Sequence, residues 1–253
     1  MSKIVKLLLI FLFIESNVFA YGLSPMNLSI DSSSKYGVGV FLLENKSDDT
    51  VPIELTIVKR TLDYDGKETL SEIKSNEYHF IVYPPMLTLQ PHEKRNVKVV
   101  YQGPKNIEIE QTFRLFSSQL PLSNYQKEKD KNLLNILMRY GASLYVSPKD
   151  SEAKVVINEV KGYTSTDKNK NTSKNLMIIL ENQGNVHKNL IRYNLKLTAD
   201  DGTSVTIPWE LLSKEINPPV NIFAKQKRRV LIHCPQELMN NTGNIKAEIQ
   251  YLE

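Results

Sequence analysis

Residue types that carry covalent or metal chemistry are few in this chain and lie apart. Its 253 residues hold four histidines, His79, His92, His187 and His233, in separate segments, and a single cysteine, Cys234. One cysteine forms neither an internal disulfide nor a Cys-based zinc site, and no pair of histidines has the spacing of a metal site. GxSxG, HExxH and P-loop patterns are absent. Gly37-Val38-Gly39 opens an apolar strand with no helix behind it, so it cannot cradle a phosphate. The acidic pairs Asp48/Asp49 and Asp200/Asp201 sit at turns, where Asp accepts backbone hydrogen bonds. The basic run 225–229 (KQKRR) reads as a solvated sheet edge guarded by charge. With 32 Lys+Arg against 28 Asp+Glu, the net charge of +4 gives little reason to expect nucleic acid. No catalytic residue, metal site, cofactor or small-molecule substrate is expected.

The chemistry left is that of an exposed backbone. Residues 133–146 (LLNILMRYGASLYV) place an apolar side chain at every even position, Leu134, Ile136, Met138, Tyr140, Ala142, Leu144 and Val146. A 14-residue strand is about 46 Å long at ~3.3 Å per residue, whereas strands usually run to about 5–6 residues. Its beginning is expected to project past its sheet, out of the charged loop 121–131 (PLSNYQKEKDK). Such an apolar half-strand is an aggregation hazard unless something pairs with it. Leu134, Ile136 and Met138 are therefore either partner-binding residues or part of the chain's own core.

The surrounding elements read as short strands. Val38, Val40 and Leu42 alternate, as do Ile53, Leu55 and Ile57, and then Val97, Val99 and Tyr101. Further runs cover 113–116, 155–160, 176–180, 190–197, 230–233 and 245–252. Asp65-Gly66, Pro84-Pro85, Gln102-Gly103-Pro104, Asp201-Gly202 and Pro218-Pro219 supply turns between them. Only 209–215 leans towards helix. The pattern predicts an all-β protein of two immunoglobulin-like β-sandwich domains in series, 21–148 and 149–253, divided at the polar stretch 147–151 (SPKDS). Residues 167–174 (DKNKNTSK) read as a solvated hairpin loop. Residues 1–20 have the form of a secretory signal: Lys3 and Lys6, an apolar run to Ile14, then Val18 and Ala20 before a cut after Ala20. The apolar stretch is far shorter than the ~20 residues that span a bilayer. The protein is expected to be exported.

In order along the chain, several passages resemble the PapD-like periplasmic pilus chaperones. Residues 80–91 (FIVYPPMLTLQP) resemble that family's double-proline stretch, and 96–101 (NVKVVY) the strand after it. Residues 110–116 (EQTFRLF) with Leu120-Pro121 resemble the sixth strand and its exit. Residues 133–148 resemble the seventh, with an alternating triplet at Leu134, Ile136 and Met138. Residues 180–187 (LENQGNVH) resemble a strand end in the second domain.

The resemblance implies two angled sandwiches and a chaperone that lends a strand to a pilus subunit until an outer-membrane usher receives it. Pilus subunits and the usher are the implied partners. Strand addition takes affinity from backbone hydrogen bonds and register from alternate side chains. In one branch of the family an arginine in the first strand and a lysine in the seventh hold the subunit's terminal carboxylate. Here residues 23–30 (LSPMNLSI) contain no basic residue, and Ser143 stands where that lysine belongs. Arg114 and Arg139 are the expected anchors, in contexts closer to the archaic branch, while Arg60 and Arg95 read as lying near strand ends or turns; plain surface arginines, or salt bridges inside the sheet, are the alternative. Lys98 and Glu110 are expected to form a structural ion pair. The rival reading is a structural pilus subunit or adhesin with tandem sandwiches.

Overall fold

The computed structural model describes residues 21–74, 79–121, 136–166, 172–216, 220–239 and 244–252. The signal-like segment, Leu134 and most of the loop 121–131 lie outside them. The first half contains β1 (Tyr21–Ser24), β2 (Asn27–Asp31), β3 (Val38–Asn45), β4 (Val51–Leu62), β5 (Glu68–Ser71), β6 (Phe80–Tyr83), β7 (Met86–Leu89), β8 (Lys94–Tyr101), β9 (Gln111–Gln119) and β10 (Arg139–Ser147). One sheet has the order β1-β3-β8-β6 and the other β2-β10-β9-β4-β5, with β7 also on β4. Alternation decides which side chains meet between them: Phe41 and Leu43, Val97 and Val99, Ile53 and Leu115, Ala142, Leu144 and Val146 form one buried core.

The second half contains β11 (Val155–Thr166), β12 (Thr172–Asn182), β13 (Lys188–Leu190), β14 (Tyr193–Ala199), β15 (Ser204–Ile207), α1 (Trp209–Glu215), β16 (Val220–Ile222), β17 (Lys227–His233) and β18 (Ile245–Tyr251). Its sheets are β11-β12-β17, β15-β14-β18 and the small pair β13-β16. Leu176, Ile178, Leu195, Leu197, Val230 and Ile232 lie in its separate core. The fold is all-β, with two sandwich layers around each core, and α1 falls where helix is expected. Thr172 and Lys174, read above as loop, are instead in β12.

The connecting stretch is held by the 180–187 segment. Asn182 is fully buried; its amide donates to the carbonyls of Val186 and Ile222, and its Oδ1 accepts the Lys154 and Gly184 N–H groups. The Gly184 α-carbon packs so close that a Cβ there would lie 2.1 Å from the Glu152 carbonyl oxygen, so this position excludes any side chain.

Two further elements differ from the sequence reading. The seventh strand begins at Arg139, and Ile136, Leu137 and Met138 precede it without strand pairing. The 225–229 run is also no free edge. The Arg229 N–H donates to the Tyr64 carbonyl, and its guanidinium forks onto Asp65 at 2.7 and 2.8 Å. Arg228 lies against Gly66, where burial lowers its pKa despite Asp63 and Asp65 nearby. The β4–β5 turn thus docks on β17.

Candidate functional site

The even side chains of β10 enter the first core, yet Ser143 and Tyr145 on its odd face are buried as well. What covers them comes from the second half. Asn221 Nδ2 donates to the Tyr145 hydroxyl at 3.1 Å, and the His187 ring stacks on the Tyr145 ring at 3.7 Å. Between the halves a polar cluster collects on this face. Arg114 in β9 pairs with Ser143 by register, and Arg60 lies one diagonal away in β4. Arg60 Nη1 donates to Ser143 Oγ (3.2 Å) and the Tyr145 hydroxyl (3.3 Å), and its guanidinium lies 5.0 Å over the Phe223 ring. Arg114 Nη1 donates to Ser143 Oγ and the Gly141 carbonyl.

One carboxylate serves both arginines. Glu68, the first residue of β5, accepts Arg114 Nε at 2.7 Å and Nη2 at 2.8 Å, a two-bond fork. Arg60 Nε stands 3.2 Å from the same carboxylate but is not aimed at it, so that contact is ionic and the buried Nε has no hydrogen bond. Two guanidiniums against one carboxylate leave a net charge of +1, with the Arg60 side chain 8% exposed. Such a group favours a further anion because an uncompensated buried charge is costly.

The hydrogen bonds from Arg114, and then the Arg60 and Arg114 charges, hold Glu68 below the usual carboxylate range, while the same fork raises Arg114. A carboxylate with a depressed native pKa contributes stability that is whole above about pH 4.3, the unfolded value, and is lost as pH falls through the native one. Glu68→Gln is therefore expected to lower the urea midpoint at pH 7, with the deficit vanishing as both proteins are acidified towards pH 3. A deficit independent of pH would mean that Glu68 contributes by packing alone.

The expected anchor pair of Arg114 and Arg139 does not converge. Arg139 stands opposite Ser118, four residues from Ser143, or about 13 Å along the strand. Its guanidinium lies 3.7 Å over the Phe116 ring. Arg60 takes its place beside Arg114, and sequence reasoning missed it as a strand-end residue. Lys98 and Glu110 do not pair either: Lys98 is exposed on β8, while the buried Glu110 carboxylate accepts Ser147 Oγ at 2.8 Å and the His187 N–H at 2.8 Å and lies 2.7 Å from His187 Nδ1. Glu110 is satisfied across the two halves, and His187 is half-buried there.

Beside this cluster β10 has an open flank. β2 pairs with it in parallel only over 143–147, starting where the Ser143 N–H meets the Met26 carbonyl. From Arg139 to Ala142 that flank has no strand partner among the described residues. Just before it, Ile136 is 65% exposed and Leu137 45%. Met138 packs partly against the first core, and its carbonyl accepts the Gln119 N–H.

Residues 30–152 match the pili and flagellar-assembly chaperone family, PapD N-terminal domain. These residues thus form a domain of the PapD-like family of pilus chaperones, a family of periplasmic proteins. Among solved structures, the class 5 fimbriae chaperone CfaA superposes with a TM-score of 0.56 at 12% identity, covering 92% of this chain and 100% of that one. The chaperone–tip adhesion subunit complex CsuC–CsuE, from archaic Csu pili of Acinetobacter baumannii, gives 0.54 at 15% identity over 91% and 96%. The E. coli chaperone DraB gives 0.50 at 14% over 92% and 98%. At such identities the likeness establishes the two-domain fold. No curated protein matches by sequence.

Proposed function

We propose that this pilus-assembly chaperone captures a subunit by taking its last segment as a strand along the open flank of β10. The subunit's terminal carboxylate then closes the charge balance at Arg60 and Arg114. The observation that carries this is adjacency: a strand flank unpaired among the described residues ends beside the buried Arg60 and half-buried Arg114, a pair one negative charge short. Arg60 Nη2 donates to nothing among the described residues and is the donor a carboxylate would take. Ile136, with Leu134 upstream, fills the groove that an incomplete subunit sandwich exposes, and Met138 joins the core to that groove. Arginines here, in place of the lysine of the better-known branch, support the archaic branch. In this reading the protein is exported, cleaved after Ala20, divided into domains at 148/149, and passes its subunit to an outer-membrane usher.

The test is co-expression with a pilus subunit from the same gene neighbourhood. A stable one-to-one complex is expected in periplasmic extract, with the chaperone beginning at Tyr21 on N-terminal sequencing. Extending the subunit by a few residues past its carboxyl terminus should abolish recovery. Equal recovery of the extended subunit would remove the carboxylate from the mechanism.

A further inference from the structure

We propose that Arg139 and Phe116 form a second subsite, which recognises an acidic side chain four residues before the carboxyl terminus of the captured strand. This rests on the capture reading above. Arg139 is exposed, and its guanidinium face is occupied by the Phe116 ring. Stacking holds the planar group in place and leaves its edge donors free, the arrangement that receives a carboxylate through two parallel bonds. Among the described residues Arg139 has no ion pair. The acid on its own row is Glu54, opposite Ser118 and one strand further across, about 10 Å away at two interstrand spacings.

Register then sets the ligand position. Ser143 stands level with Arg114 and Arg139 level with Ser118, on the same face four residues apart. A strand whose carboxylate reaches the Arg60/Arg114 pair while its body lies along the flank from Ile136 to Gly141 must run in the same direction as β10. Its side chains alternate with period two. The residue four before its end therefore faces Arg139, and the residue three before its end faces away.

The mature full-length protein is titrated with ten-residue labelled peptides of alternating valine and threonine. They end in a free acid or an amide and carry Glu or Gln two, three, four or five residues before the end. Glu four before the end is expected to bind about two- to fivefold tighter than Gln, the range for a solvent-accessible ion pair. The preference should be absent at three and abolished in Arg139→Gln. A protein that prefers acid to amide but shows no Glu preference at four, or the same preference at three, overturns the subsite and leaves the capture reading standing. No preference for acid over amide overturns both.

Discussion

Arg114→Ala is expected to weaken subunit capture by a hundredfold or more while the chaperone stays folded. Arg114 contributes a fork to Glu68 and a bond each to Gly141 and Ser143. Without it, Glu68 and Arg60 remain as a neutral pair, and the site loses its excess positive charge. A terminal carboxylate entering there would face a balanced ion pair, and its own dehydration would go uncompensated. Losing one hydrogen bond to a charged group costs ~1.5–3 kcal/mol, on the order of ten- to a hundredfold in affinity. Loss of the charge balance adds to that. Arg114→Lys keeps the charge but not the planar fork and should recover only part of the binding. Arg139→Ala should leave the distinction between free and extended subunit carboxyl termini intact. Binding isotherms, with circular dichroism to confirm folding, decide the matter. Parental affinity in a folded Arg114→Ala protein would place the carboxylate elsewhere.

Ile136→Asp is expected to abolish capture without touching stability. Ile136 is 65% exposed and precedes the strand, so changes there should stay within about 0.5 kcal/mol of folding free energy. In the complex the same side chain would be buried, a gain of ~1.5–3 kcal/mol, and aspartate would also carry an unpaired charge into an apolar groove. Together these exceed a hundredfold in affinity. Met138→Asp supplies the contrast. Met138 packs against the first core, so its replacement should lower the unfolding midpoint as well as capture. Unchanged subunit recovery with Ile136→Asp would assign capture to another surface.

Much of the fold is legible along the chain. Period-two alternation in β3, β4 and β8, with turn residues between them, specifies strands and their apolar faces, because both signals act over a few residues. The Trp209–Glu215 helix and the Asn182–Gly184 strand end are local in the same sense. At 136–138 alternation describes side-chain faces and says nothing of whether a neighbouring strand is there to pair, and among the described residues none pairs with them.

The site was harder to read, for a related reason. Patterning shows which face of β10 is apolar; it does not show what will cover the polar one. Arg60 reads as a charged strand end, yet Phe223 lies under its guanidinium and Glu68 beside it, contacts made by a second sandwich and a neighbouring hairpin. Glu110 finds His187 across 77 residues, not the nearby Lys98. Arg114 and Arg139 are both strand arginines, but the β9–β10 register sets them four residues apart and gives Arg114 to Ser143. Side-chain chemistry and strand faces are properties of short segments. Register, burial of a polar face and the convergence of charges depend on segments distant in sequence, and these arise only when the two sandwiches are formed and packed together.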